Sequence, residues 1–369
     1  MPFDKMGVEP VVLRATGNKF KSAVEPFLRQ DMSSENQLQL SALLGSVWND
    51  YLIQIASSRN LSAEKINLLA DSMAVTEPQK AMENGLLDQL MYQDELQQLF
   101  IDKTGQNEFK DIAMISPSRY AELSGFGKPK YNDKRVAVIF AQGDIVMGDQ
   151  GEYQIGSDRI AKAIRSARKN DRVKAIVLRV NSPGGNAMAS DVIWREVQLA
   201  SQEKPLIASM GNLAASGGYY ISCVADTIMA QPNTITGSIG AFGLFFTGEE
   251  LMNDKLGINI ETVTTNKYAD LGTFDRDISS AERKILIHQV DNIYRTFTER
   301  VAEGRGMTVA QVDSLGGGRV YSGSDALELG LVDMMGGLNE AITLAAEKAN
   351  IAEDYTVMEY PKLKTPLWS

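Results

Sequence analysis

The sequence predicts an α/β fold with largely parallel sheets and flanking helices, arranged as two tandem units. Two observations support this prediction. From residue 135 to residue 265, short apolar runs alternate with amphipathic segments of helical length, a pattern typical of parallel sheets whose strands are connected by helices. In addition, two long segments of the chain repeat each other, which indicates that one structural unit occurs twice.

The predicted strands and helices alternate along the second half of the chain. Strands are predicted for residues 135–145, 173–180, 205–210, 226–231 and 260–265, and helices for residues 157–171 and 189–201. Loops are predicted for residues 181–190 and 232–240. Sites in parallel sheets form at the carboxyl ends of strands, so the segments after residues 180 and 210 are the first places to look for chemistry.

The repeat begins at Asp4 in the first copy and at Asp254 in the second. The copies open with DKMGVEPVVLRATGNKF and DKLGINIETVTTNKY, and later contain KAMENGLLDQL and DALELGLVDMM. Each copy predicts a strand, a loop, a long capped helix, a second helix and a Gly-Leu-x-Asp turn. So long a match with so few insertions indicates a diverged duplication.

The two copies differ in what precedes them. Residues 135–253 come before the second copy and have no counterpart before Asp4, so we expect a chain that begins inside its first unit and is part of a longer protein. The predicted domains are residues 1–100, the C-terminal part of the first unit; residues 101–134, a polar linker; and residues 135–369, the second unit.

Composition limits the classes of function. The 369 residues have a formal net charge of −10 and contain one histidine and one cysteine. The acidic balance argues against nucleic acid or an anionic membrane surface as the main partner. A lone histidine argues against an imidazole metal site, and no cofactor is expected. No apolar run approaches the ~20 residues of a membrane span, and the N-terminus lacks a signal-peptide pattern, so the chain as given is predicted to be soluble.

A serine among small residues is the candidate nucleophile. Residues 211–222 read GNLAASGGYYIS, so Ser216 is surrounded by alanine and glycine, and a substrate carbonyl can approach its hydroxyl closely. The alternative is a serine that only caps a helix of small residues. Cys223, in the apolar run that follows, is predicted to be a buried packing residue.

A glycine-rich loop precedes this serine by one strand and one helix. The loop, NSPGG at residues 181–185, ends a predicted buried strand, and glycines there leave backbone N–H groups free to point at an anion. Acyl transfer needs two such donors for its oxyanion, and the N–H groups of Gly185 and Gly217 are the candidates. The alternative is an ordinary strand-to-helix turn.

The base for this serine is predicted to be a lysine. His288, the one histidine, lies in a segment that opens with Ser279 and Glu282 at capping-box spacing, and is expected on a helix surface. A lysine can act as a base if burial lowers its pKa from about 10.4 toward 7 to 8. The repeat favours Lys21, because its counterpart is Ala269, whereas Lys19 is matched by another lysine, Lys267, and is expected to be a structural or surface residue.

Taken together, NSPGG, AASGGYYIS, TGSIG and NKFKSAVEPF closely resemble the long, duplicated form of the bacterial signal peptide peptidase A, or protease IV, family. The resemblance covers essentially the whole chain. It implies a Clp protease/crotonase-like fold in each unit and a Ser/Lys dyad of Ser216 and Lys21, with Gly185 and Gly217 as oxyanion donors. It also implies that Ser238, in TGSIG, hydrogen-bonds and orients the lysine amine.

The resemblance further implies a membrane-anchored homotetramer on the periplasmic side of the cytoplasmic membrane, where it degrades cleaved signal peptides. We expect the anchor to belong to the part of the longer protein that precedes this chain. Apolar subsites would suit such substrates, and five side chains are candidates for their lining, although core packing is the favoured interpretation for most of them: Leu213, Tyr219, Phe242, Leu244 and Phe245.

Two other functions remain open at this point. A crotonase-like acyl-CoA enzyme would share the oxyanion arrangement but need no serine nucleophile, so Ser216→Ala would leave its activity intact. A non-catalytic assembly module would need neither residue, and its Lys21 would be exposed, protonated and dispensable. Fold alone does not separate these functions.

Overall fold

The computed structural model describes residues 2–123, 133–151 and 153–361. The chain separates into two compact units, one made of Met1–Ser46 and Asn132–Ser369 and the other of Val47–Tyr131. Lys21 and Ser216 both belong to the first of these units. The tandem domains predicted at residues 1–100 and 135–369 stay a prediction.

The N-terminal elements match those predicted for the first copy of the repeat. They are helix α1 (Pro2–Met6), strand β1 (Glu9–Arg14), a 3-10 helix (Ser22–Phe27) and helix α2 (Ser34–Arg59). The hydroxyl of Ser33 accepts the N–H of Asn36 at 3.1 Å, which satisfies one of the free donors at the start of α2. The predicted long helix therefore begins at a side-chain cap.

The smaller unit is entirely helical within its described residues. Its further helices are α3 (Ala63–Asp71), α4 (Pro78–Glu83), α5 (Gln93–Thr104), a 3-10 helix (Phe109–Asp111) and α6 (Pro117–Leu123). Trp48 Nε1 donates to Asn67 Oδ1 at 2.9 Å, which ties α2 to α3. The predicted linker thus contains the end of α5 and all of α6, and residues 124–132 lie outside the described residues.

The larger unit alternates strands and helices as predicted. Its elements are β2 (Arg135–Gln142), β3 (Ile145–Val146), β4 (Ile155–Gly156), α7 (Ser157–Lys169), β5 (Val173–Ser182), α8 (Ala187–Ser201), β6 (Leu206–Ala215), α9 (Gly217–Ser222), β7 (Thr227–Ala230), β8 (Ile235–Gly237) and β9 (Phe242–Thr247). They continue with α10 (Ser280–Arg305), α11 (Val309–Leu315), β10 (Val320–Tyr321), α12 (Gly323–Glu328), β11 (Met334–Met335), α13 (Leu338–Lys348) and β12 (Thr356–Tyr360).

A largely parallel sheet of eight strands forms the centre of this unit. Its main order is β10-β8-β6-β5-β2-β12, with β7 beside β6 and β11 beside β7. Only the β8–β10 pair is antiparallel. The predicted fold class is confirmed. Because β5 and β6 are parallel neighbours, the loops that follow them, which carry Gly185 and Ser216, meet at the same edge of the sheet.

Both faces of the sheet are covered, which explains the continuous apolar runs of β2, β5 and β6. On one face, α13 packs against side chains such as Val138, Val177 and Ile207. On the other face, α7, α8 and α9 bury residues such as Ile139, Leu178 and Trp194. Fully burying one such aliphatic side chain contributes about 1.5–3 kcal/mol, so the strands that carry the site loops are rigidly held.

The second copy of the repeat lacks its predicted strand. Residues 258–265 form no strand and are exposed, so the strand predicted at residues 260–265 is wrong. The first copy has a partner for this segment, because β1 pairs antiparallel with β9, from Arg14 opposite Phe242 to Glu9 opposite Thr247. A strand needs such a partner for its backbone N–H and C=O groups.

Two short strands also differ from the prediction. The loop predicted at residues 232–240 contains β8, which pairs with β6 at Leu213–Ala215, and β9 follows it. β8 has only three residues, and β9, with six, lacks the apolar–polar alternation that marks a strand in sequence. Among residues 2–123, 133–151 and 153–361, no helix has the length and apolar character needed to span a membrane.

Candidate active site

Ser216 occupies a sharp turn between β6 and α9. Its φ of 55° and ψ of −120° are unusual for a residue with a side chain, and such backbone strain is concentrated at functional sites. The turn is fixed by two backbone hydrogen bonds, from Ser216 N to the carbonyl of Gly237 and from Tyr220 N to the carbonyl of Ser216, both 2.9 Å. The half-buried hydroxyl is therefore held in one position at the strand end.

Gly184 explains why the neighbouring loop carries glycines. Its φ is 101°, and a β-carbon there would lie 2.5 Å from the nitrogen of Gly217 and 2.8 Å from the β-carbon of Ser216. These distances are below any normal contact, so only glycine allows the two loops to approach this closely. The SPGG and AASGG segments are thus one packed arrangement.

The two predicted oxyanion donors flank this contact. The bridge between β3 and the glycine loop uses the N–H of Ile145, which donates to Gly184 at 2.9 Å, and the N–H of Asn186, which donates to Ile145 at 2.8 Å. It does not use the N–H of the exposed Gly185. Gly217 is the first residue of α9, where an N–H has no partner inside the helix. Gly217 itself is buried, and the role of these two amides as oxyanion donors stays a prediction.

Lys21 reaches Ser216 from the loop that follows β1. It directly precedes the 3-10 helix Ser22–Phe27 and is 4% exposed. Its Nζ lies 3.1 Å from the Oγ of Ser216. Burial lowers the pKa of this lysine to about 7, because a charged amine is poorly solvated there. The amine can therefore be neutral near neutral pH.

Ser238 contacts the same amine. Nζ of Lys21 donates to both the Oγ and the carbonyl oxygen of Ser238, each at 2.9 Å. Ser238 has a φ of 50°, a second strained serine, and its N–H donates to Arg319 O at 2.7 Å. A neutral amine has two N–H groups and one lone pair, so with both N–H groups on Ser238 the lone pair faces Ser216.

The remaining candidate nucleophiles and bases lie elsewhere. Cys223 is fully buried, and burial raises the pKa of its thiol to about 12. His288 is exposed on α10, and Ser279 and Glu282 form the predicted capping box of that helix. Lys19 is also exposed, two residues from the buried lysine. The predictions for these residues agree with their positions.

The predicted subsite residues fall into two groups. Tyr219 is fully buried and its hydroxyl donates to Leu331 O at 2.9 Å, so it belongs to the core and not to a surface subsite. Phe242 is 39% exposed, and the other three are half-buried: Leu213, Leu244 and Phe245. The residues that the structure describes contain no cluster of three or more His, Cys, Asp or Glu suited to a metal ion.

Sequence reasoning gave no role to Gly316, Gly317 and Gly318. These residues form a turn against the loop that carries Lys21, and the N–H of Phe20 donates to Gly317 O at 3.0 Å. The available signal was the run of three glycines in SLGGGR. Such a run indicates that another segment packs closely against the backbone, but it does not identify that segment.

Comparison with known sequences gives two family matches. The profile of peptidase family S49 matches residues 2–106 and 198–352, and that of Clp protease matches residues 128–236. Among solved structures, a ClpP1 mutant from Listeria monocytogenes has a TM-score of 0.38 and 15% identity, covering 56% of this chain and 94% of its own.

Curated relatives match nearly the whole chain. Protease 4 of Haemophilus influenzae is 36% identical over 373 residues, which cover 97% of this chain and 59% of the relative. The chloroplastic serine protease SPPA of Arabidopsis thaliana is 34% identical, covering 99% and 54% respectively. The chain thus spans between half and two thirds of the length of these relatives.

Proposed function

Because this chain belongs to peptidase family S49, we propose that it is a serine endopeptidase with Ser216 as nucleophile and Lys21 as general base. The observation that carries the proposal is the 3.1 Å separation of Nζ and Oγ. A pKa of about 7 supports the role, because it leaves roughly half of the lysine neutral at neutral pH. The resemblance to signal peptide peptidase A, inferred from the motifs, is confirmed by the family match.

Acylation uses the lysine first as base and then as acid. The neutral amine accepts the hydroxyl proton of Ser216 while Oγ attacks the carbonyl carbon of the peptide bond, and the carbonyl π electrons move to its oxygen. The ammonium of Lys21 then gives the proton to the leaving nitrogen as the C–N bond breaks. In the second half of the reaction, the same amine takes a proton from water as the water oxygen attacks the ester carbon. The bond from this carbon to Oγ then breaks, Oγ takes the proton back from Lys21, and the second product leaves as a carboxylic acid.

The oxyanion of the tetrahedral intermediate is assigned to two backbone amides. Gly185 is exposed with its N–H unused by the bridge to Ile145, and Gly217 opens α9. Preorganised donors of this kind stabilise the developing negative charge more than they stabilise the substrate. Removing one such donor typically costs about 100- to 1,000-fold in rate.

Ser238 is proposed to orient the amine. In a histidine triad, an aspartate holds the base in the required orientation. Here the two acceptors of Ser238 take both N–H groups of the neutral amine, and the lone pair points at the nucleophile. The same acceptors remain available to the ammonium that forms during acylation.

The proposed substrates are cleaved signal peptides and other hydrophobic peptides. This part of the proposal rests on the resemblance of the motifs, and the partly exposed Phe242 beside β1 is compatible with an apolar subsite. By the same resemblance we propose a homotetramer on the periplasmic side of the cytoplasmic membrane. These finer statements are independent of the dyad chemistry.

The test is covalent labelling with a fluorophosphonate probe between pH 6 and pH 10, with the adduct located by mass spectrometry. Wild type should carry one adduct, on Ser216, and Ser216→Ala and Lys21→Ala should carry none. Lys19→Ala is the matched control, because it removes an exposed lysine two residues away, and it should label like wild type.

Two results would reject this function. If folded wild type is unlabelled, or if Lys21→Ala labels at the wild-type rate, the Ser/Lys dyad is rejected. A crotonase-like enzyme then becomes the better-supported hypothesis. The assembly-module alternative requires an exposed lysine, and the 4% exposure of Lys21 already counts against it.

A further inference from the structure

The loop that carries Lys21, residues 15–21 and here called the lysine loop, rests on the turn of residues 316–319, here called the glycine turn. Besides the hydrogen bond from Phe20 to Gly317, the two backbones touch directly. A β-carbon at Gly318, whose φ is 86°, would lie 2.7 Å from the nitrogen, Cα and Cβ of Lys21. Only glycine allows this contact, so the turn sets where the lysine backbone lies.

The glycine turn also holds the partner of the lysine. The N–H of Gly318 donates to Ile239 O at 2.9 Å, and the carbonyl of Arg319 accepts the N–H of Ser238 at 2.7 Å. One short turn therefore fixes both the lysine and the serine that binds its amine. A displacement of the turn would therefore act on both residues that set the position of Nζ.

Glycines are conformationally free, so the turn needs support from outside. Tyr294, on the buried face of α10, provides it: its hydroxyl accepts the N–H of Gly317 at 3.1 Å and donates to Asp313 Oδ1 at 2.6 Å. A β-carbon at Gly316 would lie 2.6 Å from the same hydroxyl. The tyrosine hydroxyl thus lies directly against the turn and has a defined donor and acceptor.

We propose that Tyr294 is a positioning residue for the catalytic lysine, acting through Gly317 and supported by Asp313. The inference rests on the proposed Ser/Lys function and adds a residue that contacts neither the substrate nor Nζ. Its hydroxyl fixes the glycine turn, the turn fixes the lysine loop, and the loop keeps Nζ buried at hydrogen-bond distance from Ser216. A displacement of about 1 Å in such a group can cost on the order of 100-fold in rate.

Charged groups around the lysine loop do not account for the lowered pKa of Lys21. Three of them have partners of their own: Arg319 lies over the ring of Phe20, Asp291 accepts the N–H of Thr16, and Glu25 accepts the hydroxyl of Ser33 and lies 3.9 Å from Arg14. Burial alone is the cause of the lowered pKa of Lys21. Burial also raises the pKa of Tyr294, so this hydroxyl stays protonated wherever Lys21 titrates.

The test is the pH profile of fluorophosphonate labelling in Tyr294→Phe, which keeps the ring and removes only the hydroxyl. We expect the limiting rate to fall about 10- to 100-fold. We also expect the pH of half-maximal labelling to rise above that of wild type, because a loosened lysine loop admits water to Nζ and favours its charged form. A purely structural role would lower the melting temperature without moving this pH.

Two further variants remove the ambiguity of a core substitution. Asp313 is exposed, so Asp313→Ala should fold normally and show a smaller shift in the same direction, whereas Asp313→Asn keeps an acceptor for the tyrosine and should restore the wild-type profile. Thr298→Val is the matched control, because it removes another buried hydroxyl of α10, whose hydrogen bond of 2.8 Å goes to Arg295 O in the same helix and not to the glycine turn.

The outcomes separate this inference from the function on which it rests. If wild type labels through Lys21 but Tyr294→Phe keeps the wild-type half-maximal pH and rate, the positioning role alone is rejected. It is also rejected if Thr298→Val shifts the profile as much. If wild type is not labelled, the dyad and the positioning role fall together.

Discussion

The amine of Lys21 donates to two oxygens of the same residue, the hydroxyl and the carbonyl of Ser238, each at 2.9 Å. One of these acceptors is backbone, so it persists whatever side chain stands at this position. The contact needs a φ of 50° at Ser238, which turns both oxygens to the same side. Under the proposed mechanism, local backbone strain thus serves to orient the base.

Activity should rise with pH through the titration of Lys21. The pKa of this residue is lowered to about 7, and its neutral form is the base, so kcat/KM should increase about tenfold per pH unit below pH 6 and level off above pH 8. The measurement is peptide hydrolysis under substrate-limited conditions across pH 5 to 9. A profile whose midpoint lies near 10 would mean that the lysine is solvated as in a free peptide.

Replacing the lysine should stabilise the fold while removing activity. Lowering the pKa of Lys21 from 10.5 to about 7 corresponds to at most about 5 kcal/mol of unfavourable free energy for the charged form. This cost is fully present below pH 7 and disappears as the pH rises toward 10.5, because the unfolded lysine then loses its proton too.

Lys21→Met should therefore unfold at higher denaturant concentration than wild type at pH 6, with the difference shrinking at pH 10. Lys19→Met, at an exposed position, should show no such pH-dependent gain. If Lys21→Met gains the same stability at both pH values, the charged form of Lys21 does not destabilise the folded state.

Removing one of the two acceptors should weaken catalysis without abolishing it. Ser238→Ala deletes Oγ but keeps the backbone carbonyl, and one lost hydrogen bond to an amine is worth about 1 to 2 kcal/mol. We expect kcat to fall about 10-fold, measured beside Ser314→Ala, which removes an exposed serine hydroxyl on α11. A loss as complete as that of Lys21→Ala would contradict the idea of two parallel acceptors.

A methyl group at Gly184 should disrupt the serine turn. It would lie 2.5 Å from the nitrogen of Gly217, so Gly184→Ala should abolish labelling and destabilise the fold by about 2 kcal/mol or more. The matched control is Gly148→Ala, which also has a positive φ, of 84°, but has no atom within 4 Å. If both variants lose activity equally, backbone strain and not the close contact is responsible.

The central sheet could be predicted from sequence because burial on both faces of a strand produces a recognisable apolar pattern. Strands such as β5 carry an apolar run in their middle, and the helices between the strands must be amphipathic. Two other sequence signals selected the candidate dyad. Ser216 was predicted from its small neighbours and Lys21 from its mismatch with Ala269 in the repeat, and in the structure Nζ and Oγ lie 3.1 Å apart. Their catalytic roles stay a prediction until labelling is done.

What the sequence left out are the features that depend on a partner distant in the chain. Residues 260–265 have the composition of a strand but no neighbour to pair with, and β9 becomes a strand because β1 lies beside it. The glycine turn is similar. Its glycines are visible in sequence, but glycine is required there because the backbone of Lys21, almost three hundred positions earlier, packs against the turn. Tertiary context decides such cases.

The separation of Lys21 and Ser216 by 195 positions has a consequence for the newly made chain. The serine emerges from the ribosome long after the lysine, and β9, the strand with which β1 pairs, is synthesised later still. Contacts of such high sequence separation are slow to form, because chain entropy opposes closing the long loop. Under the proposed mechanism, a nascent or partly folded chain therefore holds its serine without a base, so the protein acquires the power to cut peptides only when it is no longer itself an unfolded substrate.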